Sequence, residues 1–176
     1  MGHVDVRDLV GRPGATREVH LAEQVEGLTS PLAEVPPGEA VEVDLLLESI
    51  VEGVFASGQV LGPLTLRCAR CLTEFRGEVS VRVRELFARG ADPDDDRYPL
   101  ADDVIDLEPM VRDAVVLQLP FSPLCRPDCQ GLCSRCGGDH NRGQCSCGPE
   151  VDPRWAGLEA LLDAGAFPAT DDDPKE

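Results

Sequence analysis

The residues best suited to chemistry are eight cysteines, and their spacing is uneven. Six fall within 23 residues, in "CRPDCQGLCSRCGGDHNRGQCSC" from 125 to 147, and two lie far upstream in "CARC". Thiolates two to four residues apart reach adjacent corners of a tetrahedral zinc from one tight turn. Cys68 and Cys71 have that spacing, Cys125 and Cys129 enclose three residues, Cys133 and Cys136 two, and Cys145 and Cys147 one. Four pairs make two four-thiolate sites. Cys133, Cys136, Cys145 and Cys147 are close enough in sequence to close a compact local site. That leaves Cys125 and Cys129 to join the distant Cys68 and Cys71, fastening the later segment to the strands that carry the earlier pair. A single zinc drawn from four of the six clustered thiols is the alternative, so one or two ions are expected.

Other chemistries fit less well. "CQGLCSRC" has the three-cysteine spacing of radical S-adenosylmethionine enzymes, but those carry it near the start of a large α/β barrel, and here 40 residues follow Cys136. A thioredoxin-like pair belongs at a helix N-terminus after a βαβ unit, and neither "CARC" nor "CSRC" has that setting. His140 is an available imidazole, but with four thiols at hand it reads as an exposed loop residue; His3 and His20 have no visible partners. No Ser/His/Asp or Cys/His set and no phosphate-cradling glycine motif can be assembled. A closed four-thiolate zinc offers no open position for water, so a non-enzymatic protein without a small-molecule substrate is expected.

Composition narrows the setting. With no n-region or apolar h-region in "MGHVDVRDLV" and no apolar run long enough to span a bilayer, the expectation is a cytoplasmic chain with no membrane contact. Thiols stay reduced in that compartment, which favours metal over disulfides. The net charge of −17 speaks for a basic protein partner rather than nucleic acid, although Arg126, Arg135 and Arg142 punctuate the cysteine cluster.

The elements that must position these thiols are mostly strands. "HVDVRDLV" reads as a short strand and "REVHLAEQV" is ambiguous. "AVEVDLLLE" places Val41, Val43, Leu45 and Leu47 on one face, with "EGVFASGQVLG" and "PLTLRCARC" as neighbours. In "FRGEVSVRVREL", Val79, Val81 and Val83 oppose Ser80, Arg82 and Arg84. Short connections imply an antiparallel sheet with one solvated face. "RGADPDDDRYPLADD" reads as a solvated acidic loop; Asp92, Asp94 and Asp96 lack the glycine and the glutamate of an EF-hand. A helix follows in "DLEPMVRDAVVLQLP", capped by Asp106 and stopped at Pro120, its stripe Leu107, Met110, Val111, Ala114 and Val115 facing the sheet. A last helix is expected from "DPRWAGLEALL", with Asp152 as cap, Pro153 at the first position and Trp155, Leu158 and Leu162 inward.

Residues 125–148 contain almost no apolar side chain besides Leu132 and cannot bury enough area to offset the ordering of their backbone. A structural zinc is worth ~10–16 kcal/mol in small peptides, against about 5–15 kcal/mol for a whole domain. Metal is therefore the physical reason for order there.

"CARCL" after a strand-rich half, "DLEPMVRDAVVLQLP", "PLCRPDCQGLCSRCG", "CSC" and "DPRWAGLEALL", in that order, resemble the YceD family, the large ribosomal RNA subunit accumulation proteins. The resemblance covers roughly residues 40 to 165. It implies a cytoplasmic bacterial protein, encoded near a zinc-ribbon ribosomal protein, that supports accumulation of large-subunit ribosomal RNA. By that likeness, Cys68, Cys71, Cys125 and Cys129 stand where members lacking the later cysteines still carry potential ligands. The loop "DHNRGQ" is shorter and less apolar than the family's usual one.

The resulting expectation is an α+β fold: an antiparallel β-sheet with one packed helix and a C-terminal cysteine-rich zinc-binding module. One domain spans 1–167: an N-terminal segment 1–40, sheet plus helix 41–124, cysteine-rich module 125–148 and C-terminal helix 149–167. An acidic disordered tail occupies 168–176. The expected function is assistance to ribosome biogenesis through a basic ribosomal protein or ribosomal RNA. A direct RNA-binding zinc ribbon and a thiol redox protein or sensor are the alternatives.

Overall fold

The computed structural model describes residues 2–91, 96–148 and Arg154. The C-terminal helix, the acidic tail, and Asp92 and Asp94 of the acidic run lie outside the described residues. The chain divides into two compact units, 1–132 and 133–176.

The first unit is a curled, mostly stranded sheet. Its strands are β1 (His3–Asp5), β2 (Thr16–Glu23), β3 (Thr29–Ser30), β4 (Ala33–Glu34), β5 (Val41–Ser49), β6 (Gly53–Arg67), β7 (Glu74–Ala88), β8 (Tyr98–Ala101) and β9 (Val104–Asp106), followed by the helix α1 (Glu108–Gln118). The ambiguous segment near residue 20 is thus β2, paired with β5 along its whole length. At the centre, β6 and β7 form one long antiparallel hairpin, in register from Gly53↔Ala88 to Arg67↔Glu74. On its other edge β6 pairs first with β5 and then, near its end, with β4.

Strict alternation builds this hairpin. Val79, Val81 and Val83 are buried, and so are Val54, Ala56, Val60, Leu64 and Leu66 on the same face of β6, while Ser80, Arg82 and Arg84 face solvent. Gly62–Pro63, which divides two strand readings in the sequence, does not interrupt β6. Gly62 sits where a Cβ would lie 2.8 Å from Val41 Cγ1, so the missing side chain makes room for a core valine. Pro63 falls between the stretch of β6 paired with β5 and the stretch paired with β4, where its missing N–H disturbs no ladder on that edge.

The expectation of a purely antiparallel sheet is corrected: the sheet is mixed, because β8 runs parallel to β7 through Phe87↔Tyr98 and Ala88↔Pro99. A tight hairpin reverses the chain, whereas a parallel neighbour needs a longer connection; β7 ends at Ala88 and β8 begins at Tyr98. The Tyr98 ring packs on Phe87 with centroids 5.4 Å apart, and its hydroxyl donates to Asp113 Oδ2 at 2.9 Å. The contact ties β8 to α1.

The helix behaves as its sequence demands. Asp106 Oδ1 accepts the Glu108 N–H at 3.1 Å, although Leu107 is the boundary residue, and the chain turns extended at Leu119, before Pro120. Leu107, Met110, Val111 and Val115 are buried and Ala114 partly so, in the core that α1 shares with the sheet. Burying each such aliphatic side chain is worth about 1.5–3 kcal/mol, enough to fix the start of the segment that follows.

Candidate metal centres

The turn closing the β6–β7 hairpin is residues 68–73, the stretch that carries the first cysteine pair. Cys68 N–H donates to Thr73 O at 2.9 Å, continuing the ladder, and Leu72 N–H returns to Cys68 O at 2.9 Å. Closing this turn puts Leu72 at φ 59°, a left-handed conformation uncommon for a bulky residue. Residues 123–132 lie across the turn: Ala69 N–H donates to Pro123 O at 2.8 Å, Leu132 N–H to Arg70 O at 3.0 Å, and the Arg70 guanidinium to Cys129 O at 2.8 Å. Gly131, at φ +78°, lets the chain pass closely, since a Cβ there would lie 3.0 Å from Arg70 O.

This crossing brings Cys68, Cys71, Cys125 and Cys129 together, with all four sulfurs within 4.8 Å of one another. Cys68 Sγ is 3.7 Å from Cys129 Sγ and Cys71 Sγ is 3.6 Å from Cys125 Sγ. A tetrahedron of sulfurs ~2.3 Å from zinc has edges of about 3.8 Å, whereas a disulfide holds its sulfurs at ~2.05 Å. The donor set fits a tetrahedral thiophilic ion, and all eight cysteines are free thiols. Cys68 and Cys129 are 0% and 1% exposed, wrapped by Phe75, Leu124 and Leu132. Burial opposes charge on Cys68, yet backbone N–H groups of Cys125, Cys71 and Arg70 outweigh it and bring the thiol down to about 6. The Arg70 N–H lies 3.5 Å from Cys68 Sγ. The Thr73 hydroxyl, 3.3 Å from Cys71 Sγ, lowers that thiol too. Burial and the neighbouring Cys71 push Cys125 up to about 12, since adjacent sulfurs resist simultaneous ionisation without a cation.

The second unit carries the other tetrad. Cys133, Cys136, Cys145 and Cys147 also lie within 4.8 Å of one another, with Cys136 Sγ 3.6 Å from Cys145 Sγ. Gly137 N–H donates to Cys133 O at 2.9 Å and Cys133 N–H to Gly138 O at 2.8 Å, curling the chain. Asp139 Oδ1 accepts the Asn141 N–H at 2.8 Å, starting a short 3-10 turn, His140–Arg142, that carries the chain back. Backbone N–H groups of Cys136 and Arg135 lower Cys133 to about 6, while the neighbouring thiols of Cys136 and Cys145 raise Cys147 to about 12. Cys136 and Cys147 are exposed.

The two groups of four coincide with the pairing expected from spacing. His140 is exposed and belongs to neither group. Two of the arginines that punctuate the cysteines face carboxylates: Arg126 lies 3.4 Å from Asp128 and Arg142 3.5 Å from Asp139. Sequence reasoning missed Arg70, Thr73 and Gly131 as supports of the first group. The glycine in "CQGLC" was the available signal; for the other two there was none.

The family model described as "Large ribosomal RNA subunit accumulation protein YceD" matches residues 56–162, a span containing all eight cysteines. An uncharacterized protein of Mycobacterium tuberculosis is 40% identical over 166 residues, covering 90% of this chain and 80% of that one. An uncharacterized Bacillus subtilis protein, YlbN, is 31% identical over 108 residues, 58% of this chain and 63% of its own. A chloroplastic Zea mays protein, "Large ribosomal RNA subunit accumulation protein YCED homolog 1", is 40% identical over 58 residues, 31% of this chain and 20% of its own. No solved structure matches. Among the described residues, no helix is long and apolar enough to cross a membrane.

Proposed function

The chain belongs to the YceD family, and from that premise we propose that it is a non-enzymatic, cytoplasmic zinc protein that assists accumulation of large-subunit ribosomal RNA. Each cysteine tetrad holds one zinc: Cys68, Cys71, Cys125 and Cys129 the first, Cys133, Cys136, Cys145 and Cys147 the second. The observation that carries the reading is the pair of four-sulfur clusters with separations close to a zinc–thiolate tetrahedron, in a chain of this family. Such sites supply folding energy rather than a reactive metal. The partner is a basic ribosomal protein or ribosomal RNA during subunit assembly, and the −17 net charge favours encounter with the first.

Two measurements test the proposal. Elemental analysis of purified protein should give two zinc and no iron per chain; iron, or no metal in a folded protein, refutes the metal assignment. Depleting the protein in its host should lower the ratio of large- to small-subunit ribosomal RNA, and an unchanged ratio refutes the cellular role.

A further inference from the structure

We infer that the solvent face of the β6–β7 hairpin is a single-stranded RNA surface, with the strand lying along β7. The inference rests on the ribosomal reading above and gives it a place on the molecule outside the cysteine clusters.

The even-numbered residues of β7 and the odd-numbered residues of β6 point away from the core. Register sets Arg84 beside Ser57, Arg82 beside Gln59 and Arg76 beside Thr65, with Arg67 one step further along. All four arginines are exposed. Several other arginines are neutralised: Arg7, Arg17, Arg89 and Arg112 each pair with a carboxylate. Among the described residues, none of the four hairpin arginines does, although acidic side chains outnumber basic ones by 33 to 16. The Arg84 guanidinium instead stands 6.0 Å over the ring of Phe55, which is half-buried on the same face.

Guanidinium forks recognise phosphate bidentately. An aromatic face with a stacked arginine accepts any base, and Ser57 and Gln59 add neutral hydrogen-bonding groups beside it. That combination is the chemistry of sequence-tolerant single-strand binding. Arg82 and Arg84 stand two residues apart, about 7 Å along the strand, so they address successive phosphates of a chain parallel to β7. The carboxylates on this face set its limits. Glu42, Asp44 (paired with His20 Nδ1 at 2.7 Å), Glu48 and Glu18 form an acidic border on β5 and β2, so a polyanion is kept off that half and directed along the hairpin. On β7 itself Glu78 separates Arg76 from the Arg82–Arg84 pair, and Glu74, beyond Arg76, stands opposite Arg67, weakening the far end.

The test uses the full-length, metal-loaded protein and a labelled 12-nucleotide oligouridylate, read by fluorescence anisotropy at low salt. Arg82→Glu with Arg84→Glu should weaken binding at least tenfold and flatten the dependence of log affinity on log salt by about 1.4, two contacts' worth for a single strand. Phe55→Ala should weaken it about fivefold or more, the loss of one stacking contact. Arg7→Glu with Arg12→Glu, which changes the net charge equally, should leave binding within twofold. Unchanged zinc content and melting temperature show that the variants are folded. The inference is overturned by absent binding at low salt, by equal losses in the two double variants, or by polyglutamate of the same length binding as tightly as RNA. A fall in large-subunit RNA on depletion, together with any of these, leaves the ribosomal role standing and removes only this surface.

Discussion

The two tetrads share ligand type, number and sulfur spacing, yet they are built in opposite ways. The first joins cysteines 54 and 61 residues apart, lies under Phe75, Leu124 and Leu132, and is bound into the backbone ladder of the central hairpin. The second is closed by 15 consecutive residues with two ligands exposed. With the proposed zinc bound, the same chemistry would serve the first unit as a long-range clasp and the second as a local nucleus. Coupling to the rest of the fold should follow burial and sequence separation rather than the metal.

The largest effect that would break this comparison is loss of a buried ligand. Cys129→Ala should remove one zinc of two and destabilise the sheet unit by more than ~4 kcal/mol, seen as a large drop in melting temperature beside elemental analysis. An unaltered melting curve would end the clasp interpretation.

Next comes pH. In the metal-free protein Cys125 and Cys147 hold their protons at neutral pH, being raised to about 12, while Cys68 and Cys133 at about 6 are already thiolates. Zinc must displace the held protons, so protons compete and affinity falls as pH falls. Between pH 8 and 6.5 both affinities should drop more than tenfold, and below about 6 the drop steepens as Cys68 and Cys133 also protonate. Competition with a chromophoric chelator measures this; a flat profile contradicts thiolate ligation at either tetrad.

Gly131→Ala sharpens the contrast at lower cost. The left-handed backbone and the close Arg70 carbonyl should cost ~1–2 kcal/mol, with slower zinc release from the second tetrad than from the first. Cys136→Ser is the smallest for the sheet. One zinc is lost, yet the melting transition of residues 1–132 should move by less than ~0.5 kcal/mol. A large shift would mean that the second tetrad is not local.

The sequence made the cysteine grouping legible because ligand spacing is a short-range constraint. Val41 to Leu47 and Val79 to Val83 were legible because strand periodicity is local too. The parallel β7–β8 contact was not, since it rests on two residue pairs and nothing in "YPLA" fixes a strand's direction. Gly62–Pro63 reads as a break because those residues usually punctuate strands; here a core valine fills the glycine's space and the proline falls at a gap in the ladder. Arg70 and Thr73 carry no motif, and only the crossing of residues 123–132 over the hairpin turn gives them work.

That crossing also sets a timetable for synthesis. Cys71 leaves the ribosome 54 residues ahead of Cys125, which at ~5–20 residues per second is a wait of roughly 3 to 11 s. During that interval the hairpin carries two nucleophilic thiols with half a coordination shell. A nascent chain of this kind is open to premature capture by a wrong ion or an oxidant, and the later pair closes that window.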